Sequence, residues 1–139
     1  MANEYALNLQ DASLNPVALA LPNAASTTVS GAAIDMGADT FKPANVELDL
    51  AIPALSTTIA PDTRTFTLSF QTSTTSDFST VARTIGSKIL TGAGGAGIAA
   101  TSLRVRLPSN CERYVRCQVV SGASTTDASA LNATVTVRF

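Results

Sequence analysis

The 139-residue sequence contains no histidine, no tryptophan and only two cysteines, and 14% of its residues are charged. Without histidine and with two thiols, a Cys/His zinc site is excluded. No Ser or Cys lies beside an obvious general base, so we expect no enzyme and no cofactor. The absence of tryptophan and the scarcity of exposed aromatic residues weaken any sugar-stacking surface.

Long apolar runs and targeting signals are also missing. No window holds about 18 uninterrupted apolar residues, so we expect no membrane span and no membrane partner. There is no basic n-region in the first eleven residues, MANEYALNLQD, and we expect the chain to stay in the cytoplasm where it is made. The length suits one β-sandwich domain over residues 1–139. Residues 1–45 form its loosely patterned N-terminal region, with a possible strand at YALNLQ and a possible extension to a neighbour.

Charge is unevenly distributed along the chain. Residues 1–62 carry one basic and seven acidic groups, whereas residues 63–139 carry eight basic and three acidic ones. A nucleic-acid-binding protein usually shows a strongly basic total or patch, and the net charge here is −1, so we expect no nucleic-acid partner. This division of charge suggests complementary surfaces within the fold or between copies. A chance distribution, over a folded surface on which the two halves of the chain interleave, explains it about equally well.

Period-2 alternation of apolar and polar residues is the main structural signal. It predicts strands over 46–52 and 65–71, a further strand from about Val81 to Leu90 after a Thr/Ser-rich loop, and a last strand ending at Phe139. Seven or eight such segments with little helix predict an all-β, antiparallel β-sandwich or small barrel. The pattern alone does not choose between jelly-roll and immunoglobulin-like topology. The predicted inward residues of the three clearest strands are Val46, Leu48, Leu50, Ile52, Phe66, Leu68, Phe70, Ala133, Val135, Val137 and Phe139.

The segment Leu103–Val120 is predicted to be a hairpin, because two alternating runs flank the turn formers Pro108, Ser109 and Asn110. Two cysteines six residues apart are about 20 Å apart in an extended strand, so Cys111 and Cys117 are expected to be free, the first in a loop and the second in the core. The predicted inward residues of the two arms are Leu103, Val105, Leu107, Val115, Cys117 and Val119.

Arginines dominate the outward positions of this predicted hairpin. If the two arms pair, Arg104, Arg106 and Arg116 share one basic face, which suits bidentate pairing with carboxylates of this chain or of a protein partner. A plain solvated face and a nucleic-acid surface are the alternatives. The candidate partner-binding residues are Arg104, Arg106, Arg113, Tyr114 and Arg116.

Two further patterns are weaker. The segment GAGGAG at 92–97 matches G-x-G-x-x-G, but a dinucleotide site requires a helix after the glycines and the sequence predicts a strand there, so a flexible loop is favoured. Glu47 and Asp49 share one strand face and suggest an acid pair or a cation site. The simpler interpretation is that both are solvent-facing carboxylates of an amphipathic strand.

The chain from Phe66 to Phe139 resembles the small tailed-phage head proteins of the Bbp16-like cement family. FTLSFQTSTTSDFST, a Gly-rich loop and LRVRLPSNCERYVRCQVVSGASTTDASALNATV carry the resemblance. The most specific elements are Leu107-Pro108, the run Arg113 to Arg116, Ser121-Gly122 and Asn132-Ala133.

The resemblance implies a jelly-roll sandwich on the outer surface of an icosahedral head. Its partners there are phage major capsid proteins of the HK97-like fold, it associates with itself as a dimer or trimer, and it performs no catalysis. The virion would then be its final location. The alternative is a receptor- or carbohydrate-binding jelly-roll module of a phage tail or fibre, and a hydrolase using Glu47 and Asp49 is a third class.

Overall fold

The computed structural model describes residues 16–37, 46–81 and 83–138. The predicted strand at YALNLQ and the predicted inward Phe139 lie outside these residues. The described part contains nine strands and no helix. The strands are β1 (Val17–Ala20), β2 (Thr28–Ser30), β3 (Ile34–Asp35), β4 (Glu47–Ile52), β5 (Thr65–Ser73), β6 (Arg83–Thr91), β7 (Thr101–Arg106), β8 (Tyr114–Ser121) and β9 (Asn132–Arg138).

The strands form two antiparallel sheets. The four-stranded sheet has the order β1-β9-β4-β7, and the five-stranded sheet has the order β2-β8-β5-β6 with β3 also paired to β8. β2 and β3 follow β8 in registers that differ by one residue, so they are one strand interrupted at 31–33. Counted in this way, one sheet holds the first, eighth, third and sixth strands and the other holds the second, seventh, fourth and fifth. This arrangement is a jelly roll, which confirms the predicted sandwich and settles its topology.

The core lies between the two sheets, as the alternation predicts. Each strand turns every second side chain inward, and the predicted inward residues of β4 and β5 are at most 3% exposed. On β9, Ala133, Val135 and Val137 are buried as well. Each Å² of apolar surface buried between these facing strands contributes roughly 25 cal/mol of stabilisation, and this burial is the main stabilising contribution to the sandwich.

The predicted hairpin at 103–120 is wrong in its pairing. β7 pairs with β4 in the four-stranded sheet, whereas β8 pairs with β2, β3 and β5 in the other sheet. The connection at 107–113 therefore crosses from one sheet to the other, and its Leu107 and Cys111 are buried between them. Two-to-five-residue loops are typical of hairpins, and this longer connection spans the roughly 10 Å between packed sheets.

The predicted inward and outward orientation of the side chains of these two strands is confirmed, although their predicted pairing is wrong. Five of the six predicted inward residues are buried, and Val105 is partly buried against the core. As predicted, Cys111 and Cys117 form no disulfide, and both are buried. Inward and outward positions depend only on which face is covered, so a strand keeps them whichever sheet it joins.

The N-terminal region contributes the strands on one lateral side of the sandwich. PVALALP contains β1, and STTVSGAAIDMG contains β2 and β3. On the other lateral side, β6 and β7 approach each other: Lys88 Nζ donates to Thr101 Oγ1 at 3.0 Å and to Ser102 O at 3.1 Å. The loop before β6 contains no helix over 74–81, and its Phe78 is 7% exposed.

Candidate functional site: the charged end

One end of the sandwich holds most of the charge that the structure describes. β7 and β9 finish there, and β4 and β8 begin there. We call it the charged end. Six of the eight basic residues in the described ranges lie on it. Its charged residues are Asp35, Glu47, Asp49, Asp77, Arg83, Arg104, Arg106, Glu112, Arg113, Arg116 and Arg138.

Arg113 and Tyr114 lie where β8 begins, opposite the end of β3. The register places Asp35 across from Tyr114. Arg113 donates to both carboxylate oxygens of Asp35, from Nε at 2.9 Å and from Nη2 at 2.7 Å. Its guanidinium also lies 5.2 Å from the centre of the Tyr114 ring. These hydrogen bonds raise the pKa of Arg113 above its ordinary value, so the cation is fixed in a planar, bidentate pair.

Arg116 lies two residues further along β8, on the outer face of the five-stranded sheet. Its Nε donates to Gln71 Oε1 at 3.0 Å, and its guanidinium is 4.4 Å from the centre of the Phe78 ring. Gln71 in turn donates to Gln118 at 3.1 Å. Arg116 is therefore held by an amide network and by a cation–π contact, with no acidic partner among the ion pairs of the described residues.

Arg104 and Arg106 lie on the outer face of the other sheet. The predicted single basic face is thus wrong: β7 and β8 belong to different sheets, so Arg104 and Arg106 face away from Arg116. Of the five predicted site residues, Tyr114 and Arg116 lie on β8 and Arg113 lies immediately before it. The prediction failed because it depended on a pairing of β7 with β8, which local alternation does not determine.

Asp49 is the centre of the charged groups on the four-stranded sheet. Its Oδ2 lies 3.2 Å from Arg104 Nη2 and 3.5 Å from Arg138 Nη2. Asp49 is only 7% exposed, so the prediction of a solvent-facing carboxylate is wrong for it. β4 is a central strand, and long side chains from both neighbouring strands cover the shorter aspartate. The Asp49 carboxylate and the two guanidiniums beside it form a structural cluster of ion pairs.

Glu47 begins β4 and lies opposite Arg106 on one side and Arg138 on the other. It is half-buried. No ion pair within 4.0 Å joins it to another described residue. No group of three or more His, Cys, Asp or Glu residues in the described ranges is arranged to hold a metal ion.

Sequence reasoning missed a further pair at this end, between Arg83 at the start of β6 and Glu112. Arg83 Nε lies 3.4 Å from Glu112 Oε2, Arg83 Nη2 donates to Asn110 O at 2.9 Å, and Thr72 donates to Glu112. Burial raises the pKa of Glu112, but the Thr72 hydrogen bond, its own backbone and Arg83 together hold that pKa below its ordinary value. No local pattern signals this pair, because its partners are distant in sequence.

Arg106 differs from the four arginines of the charged end that form ion pairs. Arg83, Arg104, Arg113 and Arg138 each pair with a carboxylate of the same chain. Arg106 is exposed and has no ion pair within 4.0 Å in the described part of the chain. It is therefore the guanidinium at this end with the most capacity to bind a carboxylate from outside.

The opposite end of the sandwich is made of interconnected loops rich in Ala, Ser, Thr and Gly. Thr126 Oγ1 donates to Thr58 O at 2.7 Å, and Gly95 N donates to Asp62 Oδ1 at 2.9 Å. The glycine-rich loop at 92–97 leads into β7 and not into a helix, so it lacks the helix N-terminus that a dinucleotide site uses. No helix in the described ranges is long and apolar enough to cross a membrane.

The strand order thus defines the chain as a jelly-roll β-sandwich with a charged end. No family model matches the chain, and no curated protein matches it. Among solved structures, it is similar to a chain of the cowpea mosaic virus empty virus-like particle, with 14% identity and a TM-score of 0.40 over 89% of this chain and 77% of that one.

Proposed function

We propose that this protein is a virion structural protein that acts as a capsid cement or decoration protein. In this proposal it binds the outer surface of an icosahedral phage head and stabilises the contacts between major capsid proteins of the HK97-like fold. It is made in the host cytoplasm, associates as a dimer or trimer, and catalyses no reaction. A jelly roll by itself does not define a function, so the proposal rests on the residues of the charged end.

The placement of the Arg113 to Arg116 motif is the observation that carries the proposal. This segment contributes to the resemblance to the cement family, and it forms the start of β8 just after the crossing between the sheets. Arg113 is exposed and Tyr114 is half-buried. The motif therefore presents a surface to a partner at the charged end.

The same geometry favours a protein-binding role over the sugar-binding alternative. Stacking on a sugar requires an open aromatic face. Arg113 lies over the Tyr114 ring and Arg116 over the Phe78 ring, so one face of each ring is already covered. The hydrolase alternative is not favoured either, because Asp49 is engaged by two arginines.

Mechanistically, each copy adds modest contacts across the joints between capsomers. Repetition around the shell multiplies those contacts by multivalency. The test is to add purified protein to cognate shells that lack it. Saturable binding at symmetry-related sites and a raised melting temperature of the shell are expected. Absence of saturable binding to the cognate shell contradicts the proposal.

A further inference from the structure

The arginines at the charged end are held differently on the two outer faces of the sandwich. Beside the five-stranded sheet, Arg113 is paired bidentately with Asp35. Arg116 is half-buried and is held by Gln71 and by the ring of Phe78. On the outer face of the four-stranded sheet, by contrast, three arginine side chains are exposed, and we call them the arginine patch: Arg104, Arg106 and Arg138.

The strand register brings the arginine patch together around two carboxylates of the central strand β4. Asp49 lies opposite Arg104 of β7. Glu47 lies opposite Arg106 of β7 on one side and opposite Arg138 of β9 on the other. Directly opposite residues of neighbouring strands share a face and are roughly 5 Å apart. The three guanidiniums therefore belong to one surface that is three strands wide.

Asp49 fixes two members of the arginine patch in position. Its buried Oδ1 accepts no hydrogen bond from the described part of the chain, so the contacts of Oδ2 with Arg104 and Arg138 compensate its charge there. Within the described ranges, each of these guanidiniums donates through Nη2 alone. A guanidinium has five N–H donors. Both groups are therefore held in place and keep most of their donors for a second acceptor.

Small side chains cover the same outer face next to the arginine patch. One row across the four strands is made of small residues, and we call it the platform: Ala18, Thr134, Ala51 and Ser102. Ala18 and Thr134 are exposed, whereas Ala51 and Ser102 are half-buried. An arginine side chain is much longer than any of these four. The arginine patch therefore rises beside a shallow platform, on which the backbone of a partner can approach the sheet closely.

We propose that this face binds an acidic segment of a partner protein, whose backbone lies on the platform and whose Asp or Glu carboxylates bind the arginine patch. Arginine pairs bidentately with carboxylates through charge-assisted hydrogen bonds. Arg106 has no ion pair in the described ranges, so it offers its full set of donors. Asp49 has already ordered the other two guanidiniums, which lowers the entropy lost when the partner binds.

The charges of this face suit a few carboxylates better than a nucleic-acid backbone. Three arginines and the carboxylates of Glu47 and Asp49 leave a single net positive charge, whereas affinity for nucleic acid grows with the number of phosphates that are neutralised. The platform also offers no aromatic ring on which bases stack. This inference deepens the proposed function and rests on it for the identity of the partner, since the acidic segment would belong to the capsid surface.

Titration of the free protein with a hexaglutamate peptide tests the carboxylate preference without a capsid. NMR chemical-shift changes should be largest on β4, β7 and β9 around the arginine patch. Arg106→Gln should lower the affinity for the peptide at least about threefold, whereas Arg64→Gln, outside this face, should leave it unchanged. A single-stranded hexanucleotide should bind more weakly. Shift changes centred elsewhere, or tighter binding of the hexanucleotide at the same residues, would overturn the proposal.

Opposite charges at Thr134 test whether this face meets the shell. Thr134→Glu and Thr134→Lys alter one exposed position of the platform, and melting temperatures show that both variants remain folded. Thr134→Glu should bind cognate shells at least about fivefold more weakly than Thr134→Lys, because its carboxylate repels an acidic partner. Equal binding by the two variants, with saturable binding by the wild type, would overturn this assignment and leave the cement role intact. Absence of wild-type binding, with hexaglutamate still bound at the arginine patch, would support the carboxylate-binding face and contradict the cement role.

Discussion

Gly86 of β6 lies so close to β7 that a Cβ atom on it would be 2.3 Å from Val105 Cγ2. Val105 is β-branched and has little freedom to turn away. The absence of a side chain at Gly86 therefore allows the two sheets to meet on this lateral side.

Gly86→Ala should destabilise the fold by about 1–3 kcal/mol, because the added methyl group overpacks a closed contact. Urea denaturation measures the change, and Ser87→Ala, at an exposed neighbouring position, serves as the control. Val105→Ala should relieve the clash, so the double variant should lose less stability than the sum of the two single variants. Additive losses would contradict this contact.

Asp49→Asn should lower the free energy of unfolding by about 1–2 kcal/mol, since it leaves Arg104 and Arg138 close together without an anion. The effect is smaller than for a fully buried pair because both arginine side chains are more than half exposed. Glu47→Gln should change stability by less than about 0.5 kcal/mol. Chemical denaturation of the two variants compares them directly, and equal losses would show that Asp49 has no special role.

Glu112 should contribute pH-dependent stability. Its pKa in the folded protein lies below the ordinary value of 4.5, so the folded state binds fewer protons than the unfolded state near that pH. Its contribution is present above the ordinary pKa and is lost as the pH falls through the folded pKa. Near neutral pH, the free energy of unfolding of the wild type should exceed that of Glu112→Gln by about 0.5–1 kcal/mol. This difference should shrink below pH 4.5. A difference independent of pH would contradict the assignment.

Arg106→Gln should weaken binding to cognate shells while changing the melting temperature of the free protein little, because Arg106 is exposed and has no ion pair in the described ranges. Arg64→Gln, just before β5 and outside the charged end, is the control. Wild-type binding should also weaken as salt rises from about 0.01 M to 0.15 M, as the Debye length falls from about 30 to 8 Å. Salt-insensitive binding would favour apolar contacts instead.

The inward or outward orientation of most side chains could be predicted from the sequence, but the contacts of the charged end could not. Alternation at Leu48, Leu68 and Val135 is a local property, and it holds wherever one face of a strand is covered. The contacts between Arg83 and Glu112 and between Arg113 and Asp35 join residues that are distant in sequence, and they depend on which strands become neighbours.

The sequence by itself therefore determined an all-β chain, its inward and outward residues and two cysteines that are not joined by a disulfide. Only the tertiary structure decided that the segment from Leu103 to Val120 is divided between two sheets, which separates Arg104 and Arg106 from Arg116. The physical reason is that a strand can satisfy its period-2 pattern in either sheet. The choice is made by long-range pairing with β4 or β5 and by a connection long enough to cross the core.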